Sequence, residues 1–224
     1  MVPVNGRPMV DHLLDRYASV VDEVVLVLAP GSRDVVRSHC VGRPMAIRYA
    51  VQEEPTGMLD AVLVPRPLLT DDRPCTIWIT WCDQVAVLPE TVQRVARMSR
   101  RHPEAGLVVP TIRRDQPYIH FVRDRVGDIT EILHAREGDL MPKVGESDMG
   151  LFVLSDRSYF DLLPQFAAGE KVGAVTAERN FLPFIPWLSS RAVVQTVEGT
   201  DPMESVGVNT PDELHRIEEW LCRG

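Results

Sequence analysis

The stretch Thr76-Ile77-Trp78-Ile79-Thr80-Trp81-Cys82-Asp83-Gln84 decides how the rest of the chain is read. Six β-branched and aromatic residues run into an acidic turn, and Pro89-Glu90 then opens a helical pattern. A short apolar run without polar alternation suits a strand buried on both faces, as in the parallel sheets of α/β proteins. In such sheets ligands collect beyond the carboxyl ends of the strands, and Asp83 stands at that end. A carboxylate there suits a hard cation, which in turn suits phosphate. The same residue could equally begin a turn or cap the next helix.

Working outward, helical and extended patterns alternate on both sides. Pro8 to Tyr17 carries Met9, Val10, Leu13, Leu14 and Tyr17 on one helical face. Glu23 to Leu28 is a buried-strand run closed by Pro30-Gly31-Ser32, and Arg33 to Cys40 a short helix ended by Gly42. Ile47 to Val51 is the next strand, followed by the loop Gln52 to Gly57 and a helix from Met58 to Val64. This order is the mark of βαβ units. After the helix from Pro89 to His102 and the strand Gly106 to Thr111 the pattern changes. Tyr118 to Arg123 and Asp128 to His134 flank Asp124-Arg125-Val126-Gly127, a hairpin by its turn chemistry. Arg136 to Asp148 reads as a polar loop leading into the strand Gly150 to Leu154. Two amphipathic stretches, Ser158 to Phe166 and Phe181 to Leu188, precede the strand Ala192 to Val197. Thr210-Pro211-Asp212-Glu213 opens the last helix with Thr at the N-cap, Pro at the first turn and Glu at the third position, a capping box. Residues 1–224 thus read as one α/β domain with a hairpin insertion.

Composition narrows the function. Hydrophobic residues make up 45% and charged residues 25%, ordinary for a globular domain. A net charge of −8 argues against a general nucleic-acid binder, which needs surplus Lys and Arg, but leaves room for a small phosphorylated ligand. The four cysteines (Cys40, Cys75, Cys82 and Cys222) show no C-x-x-C spacing and read as reduced thiols of a cytoplasmic protein. No segment has the length of a membrane span or the layout of a signal peptide, so neither nucleic acid nor membrane is expected as a partner.

Several stretches, in order, resemble the sugar-phosphate nucleotidyltransferases, of the MobA-like and N-acetylglucosamine-1-phosphate uridylyltransferase-like kind. Val4 to His12 looks like that family's "v-a-G-k-P-m-l-x-h" segment. Gln52 and Gly57 match its base-reading loop, and Cys82-Asp83-Gln84 its metal-binding "G-D" turn. Tyr118 to Glu137 resembles its hairpin, Asp148 to Phe152 its "N-x-G-i-y" strand, and Glu178 to Leu182 an acidic, aromatic helix start. Gly207-Val208-Asn209-Thr210-Pro211 resembles its terminal "G-v-N-t-p", whose Asn shares the metal with the Asp.

The resemblance implies a three-layer Rossmann-like (GT-A-like), mostly parallel sheet. It also implies a transferase that joins a nucleoside triphosphate to a sugar 1-phosphate, or a similar small molecule, and releases pyrophosphate. Asp83 and Asn209 would hold Mg²⁺; Gln52, Gly57, Met58 and Cys82 would line the nucleotide site; His134, Asp148 and Glu178 would meet the acceptor. For Gln52 and Gly57 the plain alternative is an ordinary polar loop, for Asn209 a residue preceding a capped helix, and for His134 and Asp148 a surface-loop role.

The chain also departs from the pattern. The family opens with a buried strand, a glycine-rich phosphate loop and a "P-K" lysine, and the resemblance here begins after all three. By analogy that strand would lie between the Glu23–Leu28 and Thr76–Trp81 runs. Without it those two strands should either keep unpaired edges or close onto each other. We expect a natural start farther upstream, and impaired catalysis in the 224 residues as they stand. Cys82 replaces a Gly, Met58 a Thr, His134 a Glu and Asp148 an Asn of the family, so the sugar is not readable. Two other readings compete: a non-catalytic nucleotide- or sugar-nucleotide-binding relative, and a GT-A glycosyltransferase-like domain. The second usually needs an Asp-x-Asp motif, and Cys82-Asp83-Gln84 offers one acid.

Overall fold

The computed structural model describes residues 2–69 and 76–222. Chain order gives β1 (Pro3–Val4), β2 (Arg7–Pro8), α1 (Met9–Tyr17), β3 (Glu23–Leu28), α2 (Arg33–His39), β4 (Ala46–Val51) and α3 (Met58–Leu63). Then come β5 (Thr76–Thr80), α4 (Pro89–Arg101), β6 (Ala105–Asp115), β7 (Ile119–Arg123), β8 (Ile129–His134), β9 (Val144–Asp148) and β10 (Leu151–Ser155). A π-helical turn, Ser158–Leu162, leads into α5 (Leu163–Gly169), followed by α6 (Phe184–Ser189), β11 (Val193–Glu198), a 3₁₀ turn Pro202–Ser205 and α7 (Pro211–Leu221).

The central sheet is ordered β11-β6-β10-β5, with β9 added to the far end of β6. β11 runs parallel to β6, and β10 runs antiparallel to both β6 and β5. β5, β6 and β11 therefore point the same way, and β10 is the reversed strand among them.

The apolar run Leu151-Phe152-Val153-Leu154 explains why β10 sits in the middle. Its alternate residues face two different cores, as the two-residue period of a strand dictates. Phe152 and Leu154 join Leu107, Val109, Leu163, Phe181 and Phe184 on the side of α5 and α6. Leu151 and Val153 join Tyr17, Val92, Val95 and Val108 on the side of α1 and α4. The result is three layers, helices on both faces of one sheet.

A second sheet consists of β3 and β4 alone, parallel and in register from Glu23–Ala46 to Leu28–Val51. Helix α1 ties the two sheets together. Its Val10 and Leu14 pack with Leu26, Leu28, Ile47 and Tyr49, while Leu13 and Tyr17 pack with the central-sheet core. Among the described residues β5 is the last strand of its sheet, and β3 and β4 pair only with each other. The two strands flanking the expected central position thus have not closed onto each other. Their apolar residues, Val24 to Leu28 and Ile77 to Ile79, stay half-buried, whereas β10 is buried from Leu151 to Leu154.

The hairpin β7–β8 forms where its Asp124–Gly127 turn was read, with the Asp124 carboxylate accepting from the backbone of Val126, Gly127 and Asp128 at 2.9–3.0 Å. The polar loop read over Arg136 to Asp148 needs correcting, because its last five residues, Val144–Asp148, are strand β9. Its sequence lacks an apolar alternation since it pairs only at an edge. Its polar groups are met locally: Glu146 receives Arg123 through two bonds of 2.7 and 2.6 Å, and its carbonyl lies 3.1 Å from His120 Nδ1. Strand β6 also runs four residues past the expected Thr111, because β9 pairs with that extension.

Phe181 is fully buried and touches Trp81, Phe152 and Phe184 with ring centroids 5.2 to 5.9 Å apart. Phe181→Ala should therefore cost about 3–5 kcal/mol in urea unfolding. Val126→Ala at the exposed hairpin tip should change stability by less than about 0.5 kcal/mol, and equal effects would overturn this account of the core.

Candidate functional site

Strand β5 ends at Thr80, and the next residues turn sharply: the Gln84 amide donates to the Trp81 carbonyl at 3.2 Å and the Val85 amide to the Asp83 carbonyl at 3.1 Å. That turn lifts Asp83 off the carboxyl end of the strand. The segment before α7 docks against it, with the Val208 amide donating to the Asp83 carbonyl at 3.1 Å. Gly207 lies directly beneath the Asp83 carboxylate, where any side chain would collide with the carboxylate oxygen and press on Asn209 Nδ2 at 3.1 Å. The structure thus brings Asp83 and Asn209 together over a bare backbone. Burial pushes the Asp83 carboxyl up; the Asn209 side-chain hydrogen bond opposes this and the nearby Glu213 charge adds to it.

Asn209 also stands where the plain reading put it, just before a capped helix. Thr210 Oγ1 accepts from the Glu213 amide at 3.2 Å. The Glu213 carboxylate receives the Asn209 amide at 3.0 Å and the Thr210 hydroxyl at 3.0 Å. The box is therefore shifted by one residue from the expected pairing, and it fixes the backbone of Asn209. A complete capping box occurs instead at Asp201–Glu204, legible as Asp201-Pro202-Met203-Glu204 but not singled out. There Glu204 is wholly buried and also accepts from the Leu88 amide at 2.9 Å, tying this segment to the start of α4.

Asp148 joins the same region. It is buried, its Oδ1 accepts from the Gly150 amide at 2.7 Å, and burial with the Asp83 charge raises its carboxyl to about 6. Gln84 closes the group: its side chain covers Gly150, and its buried Oε1 has no partner among the described residues. No sequence signal marks that orphaned carbonyl.

Could this set hold a cation? Among the described residues no group of three or more His, Cys, Asp or Glu forms a metal cluster. One buried carboxylate and one amide, at a glycine that leaves them room, suit a Mg²⁺ that takes its other oxygens from phosphate and water. They do not suit a closed zinc site.

The other expected site residues form two further groups. Gln52 spans its own loop, Nε2 donating to the Gly57 carbonyl at 3.1 Å. Gly57 has φ +123°, a conformation L side chains rarely adopt, and the Arg179 backbone fills the space a side chain would need. Its glycine is therefore explained by packing, which the sequence could not show. The Arg179 amide donates to the Thr56 carbonyl at 2.8 Å, the Leu59 amide to the Arg179 carbonyl at 3.0 Å, and the guanidinium pairs with Asp60. Met58 starts α3 beside this clamp and is 39% exposed.

His134 is the centre of the third group. Its Nδ1 lies 2.9 Å from Asn180 Nδ2 and its ring meets Tyr118 edge to face at 5.2 Å. Burial lowers its basicity, while the Glu137, Asp139 and Glu178 charges oppose the shift. A cavity of about 240 Å³ opens here, lined by His134, Glu137, Glu170, Lys171 and Asn180 among others. Glu178 does not line it, but its carbonyl accepts from the amide of the lining residue Gly173 at 2.8 Å.

Phe181 against Trp81 connects these two groups to the Asp83 turn. No hydrogen bond between described residues joins Gln52 or His134 directly to Asp83. Cys82 lies at the surface, its thiol pushed up by partial burial and then by the Asp83 charge. Cys40, Cys82 and Cys222 are free thiols, and Cys75 lies outside the described residues. No described helix is long and apolar enough to cross a membrane.

Asp148 supplies a pH test. Its folded value near 6 exceeds the ordinary 3.8, so the folded protein holds a proton there that the unfolded chain has lost. The stabilisation is fully present below about 4 and disappears as pH rises through 6. In chelator, Asp148→Asn should therefore be more stable than wild type at pH 7.5, by up to about 3 kcal/mol in urea unfolding. That advantage should shrink as pH falls through 6, and a constant difference would contradict the assignment.

Comparison with known proteins is consistent with this geometry. The family model of the MobA-like NTP transferase domain matches residues 1–178. The Brevibacillus brevis "Bifunctional protein GlmU" is 25% identical over 224 residues, covering 98% of this chain and 46% of that protein. The Listeria welshimeri protein of the same name is 24% identical over 164 residues, 72% of this chain and 35% of its own length. The chain thus spans less than half the length of these curated relatives. Among solved structures, the 4-diphosphocytidyl-2C-methyl-D-erythritol synthase of Anaerococcus prevotii superposes with a TM-score of 0.69 at 14% identity, over 99% of this chain and 92% of the other. By the family match over most of its length, the chain belongs to the MobA-like NTP transferase domain family.

Proposed function

We propose that this cytosolic protein is a Mg²⁺-dependent nucleotidyltransferase acting on a nucleoside triphosphate and a sugar 1-phosphate or similar phosphorylated small molecule. The observation that carries this reading is the meeting of Asp83 and Asn209 over Gly207. In the reaction an acceptor phosphate oxygen bonds to the α-phosphorus in line. The bond from that phosphorus to the α–β bridging oxygen breaks, and its electron pair leaves with pyrophosphate. Catalysis of this kind is positioning plus neutralisation of developing charge. Mg²⁺, when bound, would add positive charge against the phosphate oxygens.

The chain's own residues take the remaining roles. Asp83 and Asn209 hold the cation, and Gly207 keeps the space between them open. Gln52, Gly57 and Met58 present the loop that meets the base, with Cys82 at its edge, and the Arg179 clamp fixes that loop. His134 meets the acceptor from the 240 Å³ cavity, with the Glu178 charge near it, and Asp148 meets it from beside Asp83. A neutral His134 whose Nδ1 is engaged by Asn180 offers Nε2–H as a donor.

The 224 residues contain no glycine-rich phosphate loop with its basic residues. We therefore propose that these 224 residues turn over slowly as they stand. The test is pyrophosphate release with UTP, CTP, GTP or dTTP, a sugar 1-phosphate and Mg²⁺. Expected are slow but measurable release by the 224-residue form, and loss of about 10²-fold or more of that release on Asp83→Ala or Asn209→Ala. Robust turnover by the 224 residues would overturn the role given to the loop. Undiminished turnover by Asp83→Ala would overturn the metal pair.

A further inference from the structure

A cavity of about 290 Å³ lies at the far end of β6, away from the residues assigned above. Arg113, Arg114 and Arg216 line it, with Asp115 as the one lining carboxylate, and Met203 and Val206 form an apolar wall. Arg113 and Arg114 are consecutive on β6 and leave its opposite faces, so Arg114 and Arg216 supply the positive charge of the hollow on a chain of net charge −8, and Arg113 meets only its rim.

The nearby acids are already engaged. Glu146, opposite Arg113 in the β6–β9 register, is held by Arg123 through two bonds. Glu213, whose charge reaches Arg114, is taken by the Asn209 amide and the Thr210 hydroxyl. Among the described residues none of the three arginines forms an ion pair.

Arg114 is held in place without being neutralised. One Nη donates to the Ser205 carbonyl at 3.2 Å and to Ser205 Oγ at 3.1 Å, and no bond between described residues engages its other nitrogens. Arg216 makes one weak contact, 3.8 Å to Met203 Sδ. Burial, and next the Arg216 charge, hold the Arg114 guanidinium below the usual arginine range. Two like charges facing one hollow, one of them half-buried and anchored, are the arrangement an oxyanion relieves. Planar guanidinium forks match phosphate oxygens in pairs. The cavity exceeds what a bare phosphate fills, and its Met203–Val206 wall suits a small carbon body.

We propose that Arg114 and Arg216, with Arg113 at the rim, form a binding pocket for a phosphate dianion, free or carried as a small phosphomonoester. The pocket is separate from the Asp83–Asn209 pair and does not rest on the transferase reading. It shares a segment with that pair, since Val206 precedes Gly207.

The experiment is a calorimetric titration of the 224-residue protein with glycerol 3-phosphate and, separately, inorganic phosphate, in chelator so that no metal bridges the anion. Saturable one-site binding is expected. Arg216→Gln, an exposed helix-surface change, should weaken it about tenfold, and Arg114→Gln/Arg216→Gln should abolish saturation. Asp83→Asn should bind as wild type does, which separates this pocket from the transferase site. Tighter binding of the ester identifies a phosphomonoester ligand, and equal binding identifies free phosphate. Absence of saturable binding by wild type, or wild-type affinity in Arg216→Gln, would overturn the proposal whether or not the double variant folds.

Discussion

The docking of the segment before α7 onto the Asp83 turn is the contact on which the site depends. One backbone bond, Val208 to the Asp83 carbonyl, and one missing side chain, at Gly207, set the distance between two residues 126 positions apart in sequence. Neither residue is held by its own element alone. The Asp83 turn is braced by Trp81 against Phe152 and Phe181. The other partner is braced by two capping arrangements in series, Asp201 to Glu204 and Thr210 to Glu213. Buried Glu204 joins the two systems by reaching the start of α4. A small displacement of α7 would thus separate the pair without touching either side chain.

Much of the scaffold was legible because its signals are local. The Glu23–Leu28 run, the Asp124–Gly127 turn and the Thr210-Pro211 helix start announce themselves within a few residues, and each lies where it was read. Strand β9 was not legible, because its polar residues are satisfied by Arg123 and by an edge pairing that no period reveals. The reversed direction of β10 is equally silent, since a strand buried on both faces has the same composition in either orientation.

For the site, resemblance supplied what periodicity could not, namely that residues 83 and 209 belong together. The reason for Gly57 was legible from neither. A glycine in a polar loop suggests close approach of a ligand, whereas the structure fills that space with the Arg179 backbone. Arg179, Asn180, Arg114 and Arg216 escaped notice for a shared reason. An arginine or asparagine announces its partner only when the fold has chosen one, and here the choices span 46 to 119 residues for Asn180–His134 and Arg179–Asp60. The MobA-like family match supports the architecture.

The division of the strands between two sheets has a consequence for handling the protein. Helix α1 carries the join, while β3 and β5 each present, among the described residues, a half-buried row of Val, Leu, Ile and Trp without a proline or a bulge to blunt it. Most domains disguise such rows, because bare amides and carbonyls in extended register will accept any strand that reaches them. An extended segment, an unfolded copy of the same chain included, can therefore pair along either row. Solubility at high concentration depends on what lies along those two rows as much as on net charge.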